Sequence, residues 1–308
     1  MKLFPGGERV FEVVSRYDDL LTLEKREGYQ PGDTLALIVP FLLRHDITEE
    51  DISRVSQRAK LTPGALELIS QLHSQDWKVF CISTSYEQHA RAITRKLGIS
   101  EDRVACTIFP LNHYRQLLHR DDLSLVERVE GILPTLQPMA DDQEIKELLD
   151  RFYWEELPLV PLGKIVGEVK PMGGERKVEA LKRFATEYNQ SLSHFLVVGD
   201  SITDAAMLEA VRRAGGLSIA FNANEYALPY ATLSLASTHL SDLAAVCQTW
   251  AEGGKGEVEE LIRRKEGEGG KGDREFFHWL VNREDLQPVL QIHRRLRRLV
   301  RQEAAALG

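Results

Sequence analysis

Two aspartates four residues apart close an apolar run in Val197-Val198-Gly199-Asp200-Ser201-Ile202-Thr203-Asp204-Ala205-Ala206-Met207-Leu208. Residues 195–198 read as a buried strand that stops at Gly199. Asp200 then falls at the carboxyl end of a sheet, where open α/β folds bind their ligands, and Asp204 falls in the first turn of the next helix. Carboxylates so placed can face one hard cation, and Mg²⁺ suits them because it takes one or two carboxylates together with waters and a substrate phosphate. The competing reading, acids favoured by the helix dipole, accounts for Asp204 but not for Asp200 behind a strand and a glycine. Ser83 ends a second apolar run, residues 77–82. A hydroxyl there can bond a phosphate oxygen beside the N–H groups of a starting helix, although Ser and Thr are also ordinary helix caps, and Thr84 and Ser85 compete for the role. Lys177 lies near the start of a helix, where a cation is disfavoured by the dipole, so an anionic partner would compensate it. The alternative is a solvated surface lysine, and Lys170 is the rival position.

The elements that must position these residues alternate. The first sixty residues read as helices: one with Phe11, Val14, Leu20, Leu21 and Leu23 on one face, one over 35–43 capped by Asp33 or Thr34, and one opened by Thr48-Glu49-Glu50-Asp51. From Leu61 the pattern becomes helix, strand 77–82, helix 86–97 and strand 104–109, as in a parallel α/β sheet. Residues 112–156 interrupt it with helical spacing, and the α/β rhythm resumes with 164–169, a helix over 177–188, the strand 195–198, a helix from Asp204 and a strand near 217–220. The Gly-, Lys- and Glu-rich stretch 253–273 reads as frayed helix and linker. A final helix is expected over 276–306.

Taken in order, Ile82-Ser83, Lys177 with Glu179-Ala180-Leu181, and the Gly199 to Leu208 segment resemble the second, third and fourth motifs of the haloacid dehalogenase superfamily of phosphatases. The later Ile219-Ala220-Phe221-Asn222-Ala223-Asn224 resembles the strand and loop that follow in that family. The resemblance spans roughly residues 60–245. More narrowly the chain is similar to a prokaryotic branch some of whose members carry the label energy-converting hydrogenase subunit R, through Ser15-Arg16-Tyr17-Asp18-Asp19, Pro31-Gly32-Asp33-Thr34-Leu35 and Val300-Arg301-Gln302-Glu303. The implied fold is a doubly wound parallel sheet with helical cap insertions and a C-terminal helical tail. Its segments are a cap segment 1–58, a core 59–110 and 160–248, an insertion 111–159 and a linker with tail 249–308.

The implied activity is Mg²⁺-dependent hydrolysis of a small phosphomonoester through an aspartyl-phosphate. Asp200 and Asp204 would hold the metal, Lys177 would balance charge, and Ser83, Thr84 and Lys177 would bind the phosphate. The family's nucleophile belongs to a first motif, an apolar strand ending in Asp-x-Asp, and no such strand precedes Ser83. Asp18 and Asp19 sit in a helical pattern and read as a solvated face. The resemblance therefore implies either that the first strand lies upstream or that nucleophile and first metal ligand are lost, leaving a non-catalytic ligand-binding or accessory subunit. A sheet without that strand would expose edges and invite association.

The net charge of −8 argues against nucleic acid as a partner of the whole chain, and the arginines at 294, 295, 297, 298 and 301 read as a solvated helix face. No apolar run approaches a membrane span. Cys81, Cys106 and Cys247 are odd in number and widely spread, which fits a reducing cytoplasm better than a disulfide framework. The nine histidines show no zinc-ligand spacing.

Overall fold

The computed structural model describes residues 3–133, 142–268 and 274–306, with side chains up to residue 300. Residues 134–141 of the expected insertion, Gly269-Gly270 and the Arg301 side chain lie outside the described residues. The chain divides into two compact units, one of residues 1–59, 83–93 and 105–173, the other of 60–82, 94–104 and 174–308.

The first unit is largely helical. Helix Gly7–Leu23 buries Val10, Val13, Val14, Tyr17 and Leu21, an i, i+3, i+4 stripe that turns one face to the core. The helix expected over 35–43 is two, Thr34–Leu37 and Val39–Arg44, with Pro40 in the first turn of the second, where a missing N–H costs nothing. Asp33 stands at the N-cap of the first, as expected, but makes no side-chain cap bond to it; its carboxylate accepts from the Gln30 N–H. Helix Glu49–Arg58 opens with a reciprocal Thr48–Asp51 capping box. Of residues 164–169, read as a return of the α/β rhythm, 164–168 belong to helix Pro161–Glu168 and Val169 caps it. Leu162 and Ile165, three residues apart, are its buried side, a helical spacing in a run too short to distinguish by eye.

In chain order the strands are β1 Cys81–Tyr86, β2 Val104–Thr107, β3 Leu196–Gly199, β4 Leu217–Phe221, β5 Leu233–Ser237 and β6 Glu275–Trp279. β1 and β2 form a two-stranded sheet, and the second unit holds a four-stranded sheet in the order β3-β4-β5-β6. β3, β4 and β5 are parallel, with Val197 opposite Ser218 and Phe221 opposite Leu235. β6 is antiparallel to β5, with Phe277 opposite Leu235. β3 and β6 end the sheet, so it does not close into a barrel. Every residue of β4 and β5 is buried, as parallel strands covered on both faces must be.

Two expectations for the C-terminal part are corrected. Residues 275–279 form β6 rather than the start of a helix, because Phe277 and Trp279 alternate onto the core face of the sheet. The linker expected from 253 is helical to Glu268, within an element Ala244–Glu268 bent at Gly254, whose φ is 68°. Val258 and Ile262, buried four residues apart, hold this glycine-rich stretch against the core. Among the described residues no helix is long and apolar enough to cross a membrane.

Candidate functional site

The structure brings Asp200, Asp204 and Lys177 together at the carboxyl end of β3. Gly199 ends the strand because the Asp204 side chain folds over it: a Cβ on Gly199 would lie 2.5 Å from the Asp204 Cβ. Asp204 closes a capping box with Ser201. Its Oδ2 accepts from the backbone N–H groups of Asp200 at 3.0 Å and Ser201 at 3.1 Å, and from the Ser201 hydroxyl at 3.2 Å. Its Oδ1 meets Lys177 Nζ at 2.7 Å.

The Lys177–Asp204 pair is almost wholly enclosed, with side chains 5% and 9% exposed. Lys177 stands in the first turn of helix Glu175–Glu187, the end at which a cation is unfavourable, and the compensating anion is Asp204. The loop before that helix is tied to the same corner, since the Gly174 N–H donates to the Thr203 carbonyl at 3.0 Å. Nζ also donates to the Ile82 carbonyl at 3.3 Å. Burial pushes the Asp204 carboxyl up, but Lys177 and the two backbone N–H groups outweigh it and hold the group below the usual carboxylate range. The rival Lys170 is an exposed residue of the first unit.

Asp200 is different. Its side chain is 51% exposed, and its Oδ2 lies 3.0 Å from an Arg297 Nη2. Its backbone carbonyl accepts from Asn224 N–H at 2.9 Å and from Arg297 Nη1 at 3.1 Å. The sequence places Arg297 only among the C-terminal arginines of an expected solvated helix face. It lies four residues after His293, hence on the same helix face, and His293 is fully buried with Nδ1 accepting from the Ala223 N–H at 2.8 Å. Burial, with His278 and Arg297 nearby, lowers the His293 imidazole to about 3, so it is a neutral anchor. Arg294 pairs with Glu225 one turn earlier.

Ser83 and Thr84 lie on β1 in the first unit. Ser83 Oγ accepts from the Ser85 N–H at 3.2 Å. The Thr84 hydroxyl donates to the Met172 carbonyl at 2.9 Å, which gives it a structural task. In the same unit Asp18 accepts from the Tyr29 hydroxyl. Burial raises the Asp18 carboxyl despite that bond and further ones from Thr34.

As a metal-binding arrangement the corner offers one half-exposed carboxylate, Asp200, beside a second whose oxygens are already engaged. Among the described residues no group of three or more His, Cys, Asp or Glu side chains could hold an ion. That donor set fits a hard cation held through one carboxylate and waters, as Mg²⁺ commonly is, and does not fit an all-protein cage.

No family model matches the chain, and no curated protein matches it. It is similar to the solved structure of gene product AF1437 from Archaeoglobus fulgidus, with 28% identity and a TM-score of 0.78 over 95% of this chain and 88% of that one.

Proposed function

We propose that the chain acts in Mg²⁺-dependent hydrolysis of a phosphomonoester and has a haloacid-dehalogenase-like doubly wound core. The observation that carries this reading is the enclosed Lys177–Asp204 pair at the carboxyl end of β3 with the exposed Asp200 carboxylate beside it. A buried cation is costly to keep in a fold for packing alone, and here it sits where α/β sheets bind their ligands. Asp200 is the residue that would hold the metal, Asp204 orients Lys177, and Lys177 balances phosphoryl charge. Ser83 is the proposed phosphate-binding hydroxyl. Mg²⁺, when bound, would stabilise negative charge on the transferring group.

In the proposed reaction a carboxylate oxygen attacks phosphorus and the bond to the leaving alcohol breaks. Water then attacks phosphorus, breaking the acyl-phosphate bond and releasing inorganic phosphate. The attacking carboxylate is not assigned to a described residue: Ser83 has no adjacent base to activate it, and Asp18 is a half-buried acid bonded to Tyr29. The second reading, a non-catalytic binder of phosphorylated ligands, draws on the engagement of both Asp204 oxygens and of Asp200 by Arg297.

A panel of small phosphomonoesters with Mg²⁺ separates the two. The hydrolase reading expects negligible turnover by these 308 residues and Mg²⁺-dependent turnover, lost in Asp200→Asn, once the missing carboxylate is supplied. Turnover absent in both forms, with inorganic phosphate still bound, favours the second.

A further inference from the structure

We infer that Arg297, on the last helix, is a phosphate-binding residue of this corner: when the Asp200 carboxylate turns to a divalent cation, the guanidinium it releases turns to the phosphoryl oxygens of the ligand. Cation and phosphate then bind cooperatively through one side chain. The assignment rests on the proposed reading of Asp200 as the metal's carboxylate and of the ligand as a phosphorylated one.

A closed ring of contacts within the second unit holds Arg297 in place. The Asp200 carbonyl accepts from the Asn224 N–H at 2.9 Å. The neighbouring Ala223 N–H donates to His293 Nδ1 at 2.8 Å. His293 stands one turn before Arg297 on the same face of helix Gln287–Ala306. Arg297 closes the ring, with Nη1 donating to the Asp200 carbonyl at 3.1 Å and Nη2 3.0 Å from Oδ2. Leu296, beside it in the chain, is fully buried and fixes the turn that carries the guanidinium. Because His293 Nδ1 is an acceptor, the ring's proton is on Nε2, and this anchor adds no charge beside Arg297. Loop 223–224 and the helix thus set each other's position, and both are set against the strand end that bears Asp200.

A second pair on the same helix shows what a plain surface contact looks like. Arg294 meets Glu225 at 3.1 Å with side chains 54% and 44% exposed, so both charges stay hydrated when they part. The Arg297 side chain is only 20% exposed. Once Asp200 has turned to a cation, the guanidinium is a poorly hydrated charge without a counter-ion, close to a second positive charge. Both penalties are relieved by one anion lying against the two cations.

Arginine is suited to that exchange, since its planar fork matches carboxylate and phosphate alike. The Nη1 bond is to a backbone carbonyl and does not depend on what the Asp200 carboxylate holds, so the guanidinium stays pinned while Nη2 changes partner. Lys177 does not compete for this task. Its Nζ is bonded to Asp204 at 2.7 Å and to the Ile82 carbonyl at 3.3 Å, and it contributes charge from that enclosed position. Without phosphate, Arg297 opposes the cation, because both seek Asp200. With phosphate, it favours the cation, because the released guanidinium gains a partner. Reciprocity requires each ion to raise the other's affinity by the same factor.

Isothermal calorimetry on the 308-residue chain, with Mg²⁺ and inorganic phosphate as the probes, tests the exchange. In the parent chain saturating Mg²⁺ should tighten phosphate binding at least about fivefold, and phosphate should tighten Mg²⁺ binding equally. In Arg297→Ala that coupling should be at least about threefold smaller, the remainder being direct attraction between the two ions. Arg297→Lys retains the charge but not the fork; it should lower the coupling as well, and it carries the comparison if circular dichroism shows the alanine variant unfolded. Coupling unchanged by these substitutions overturns the inference and leaves Arg297 as a brace for the helix. Phosphate binding by the parent that is equally tight with and without Mg²⁺ also overturns it, since no exchange then takes place. Mg²⁺ binding that Asp200→Asn abolishes, combined with coupling indifferent to Arg297, removes the inference alone. Mg²⁺ binding that Asp200→Asn leaves unchanged removes the metal reading and the inference together.

Discussion

The second unit encloses Asp204, the first half-buries Asp18, and the two are held in opposite ways. In the second unit Asp204 meets Lys177 at 2.7 Å and two backbone N–H groups, and its carboxyl is held below the usual range. In the first unit Asp18 has the Tyr29 hydroxyl and Thr34 as partners. Burial raises it, those bonds lower it only in part, and the neighbouring Asp19 adds to the rise. Neutral donors satisfy an acid's hydrogen bonds without offsetting the loss of hydration of its charge, whereas an enclosed ammonium offsets both. The second arrangement keeps a full negative charge at neutral pH at the carboxyl end of β3. The first favours protonation and serves packing.

Removing the cation breaks this contrast most severely. Lys177→Met leaves the Asp204 charge enclosed without its counter-ion, and urea denaturation should show a loss of about 3 kcal/mol, the scale for half of a buried pair. Adding Asp204→Asn to that variant should cost less than the sum of the two single changes.

The paired asparagine substitutions sharpen the contrast by sign. At pH 7 Asp204→Asn should lower stability by about 2 kcal/mol, since it strands Lys177. Asp18→Asn keeps an acceptor for Tyr29 and removes a poorly solvated charge, so it should raise stability by up to about 1 kcal/mol.

Their pH dependences should run in opposite directions. The folded-state pKa of Asp204 is depressed, so its contribution is present above the ordinary aspartate value of 3.8 and is lost as pH falls through the folded value. That of Asp18 is raised, so its penalty is absent below 3.8 and develops as pH rises through its folded value. Thermal melts from pH 7 to pH 3 should therefore bring each variant back toward the parent chain. Parallel shifts at all pH values would mean that neither effect is electrostatic.

The smallest effect belongs to the exposed member of the set. Arg297→Ala removes a partner from a carboxylate that is half in water, so stability should change by less than about 1 kcal/mol. Mg²⁺ affinity should rise a few-fold, because the ion no longer displaces a guanidinium from Asp200. Weaker Mg²⁺ binding in this variant would mean that Arg297 supports the site rather than competing for it.

The sequence made the corner around Asp200 readable because its signals are local. A strand ending in glycine, an acid in the next helix's first turn and a lysine in an unfavourable first turn each announce a constraint within a few residues. β6 was hidden because Glu275-Phe276-Phe277-His278-Trp279 is short and pairs with a strand some forty residues earlier, and nothing local distinguishes it from the first turn of a helix. The helical continuation past Gly254 was hidden by composition, since three glycines within 253–256 outweigh Val258 and Ile262 until the core they meet is known. Val79 and Phe80 have strand chemistry but pair with no strand among the described residues, so the apolar pattern predicts a strand that pairing does not complete there. Arg297 reaches Asp200 across 97 residues, a contact that no spacing rule reveals.

The most direct test of the account is a calorimetric titration of Mg²⁺ into the 308-residue chain and into Asp200→Asn. Weak binding by the parent chain that disappears in the variant, with the fold intact by circular dichroism, is the predicted result. Binding unchanged by Asp200→Asn would contradict the assignment of this corner as the metal site, and with it the proposed chemistry.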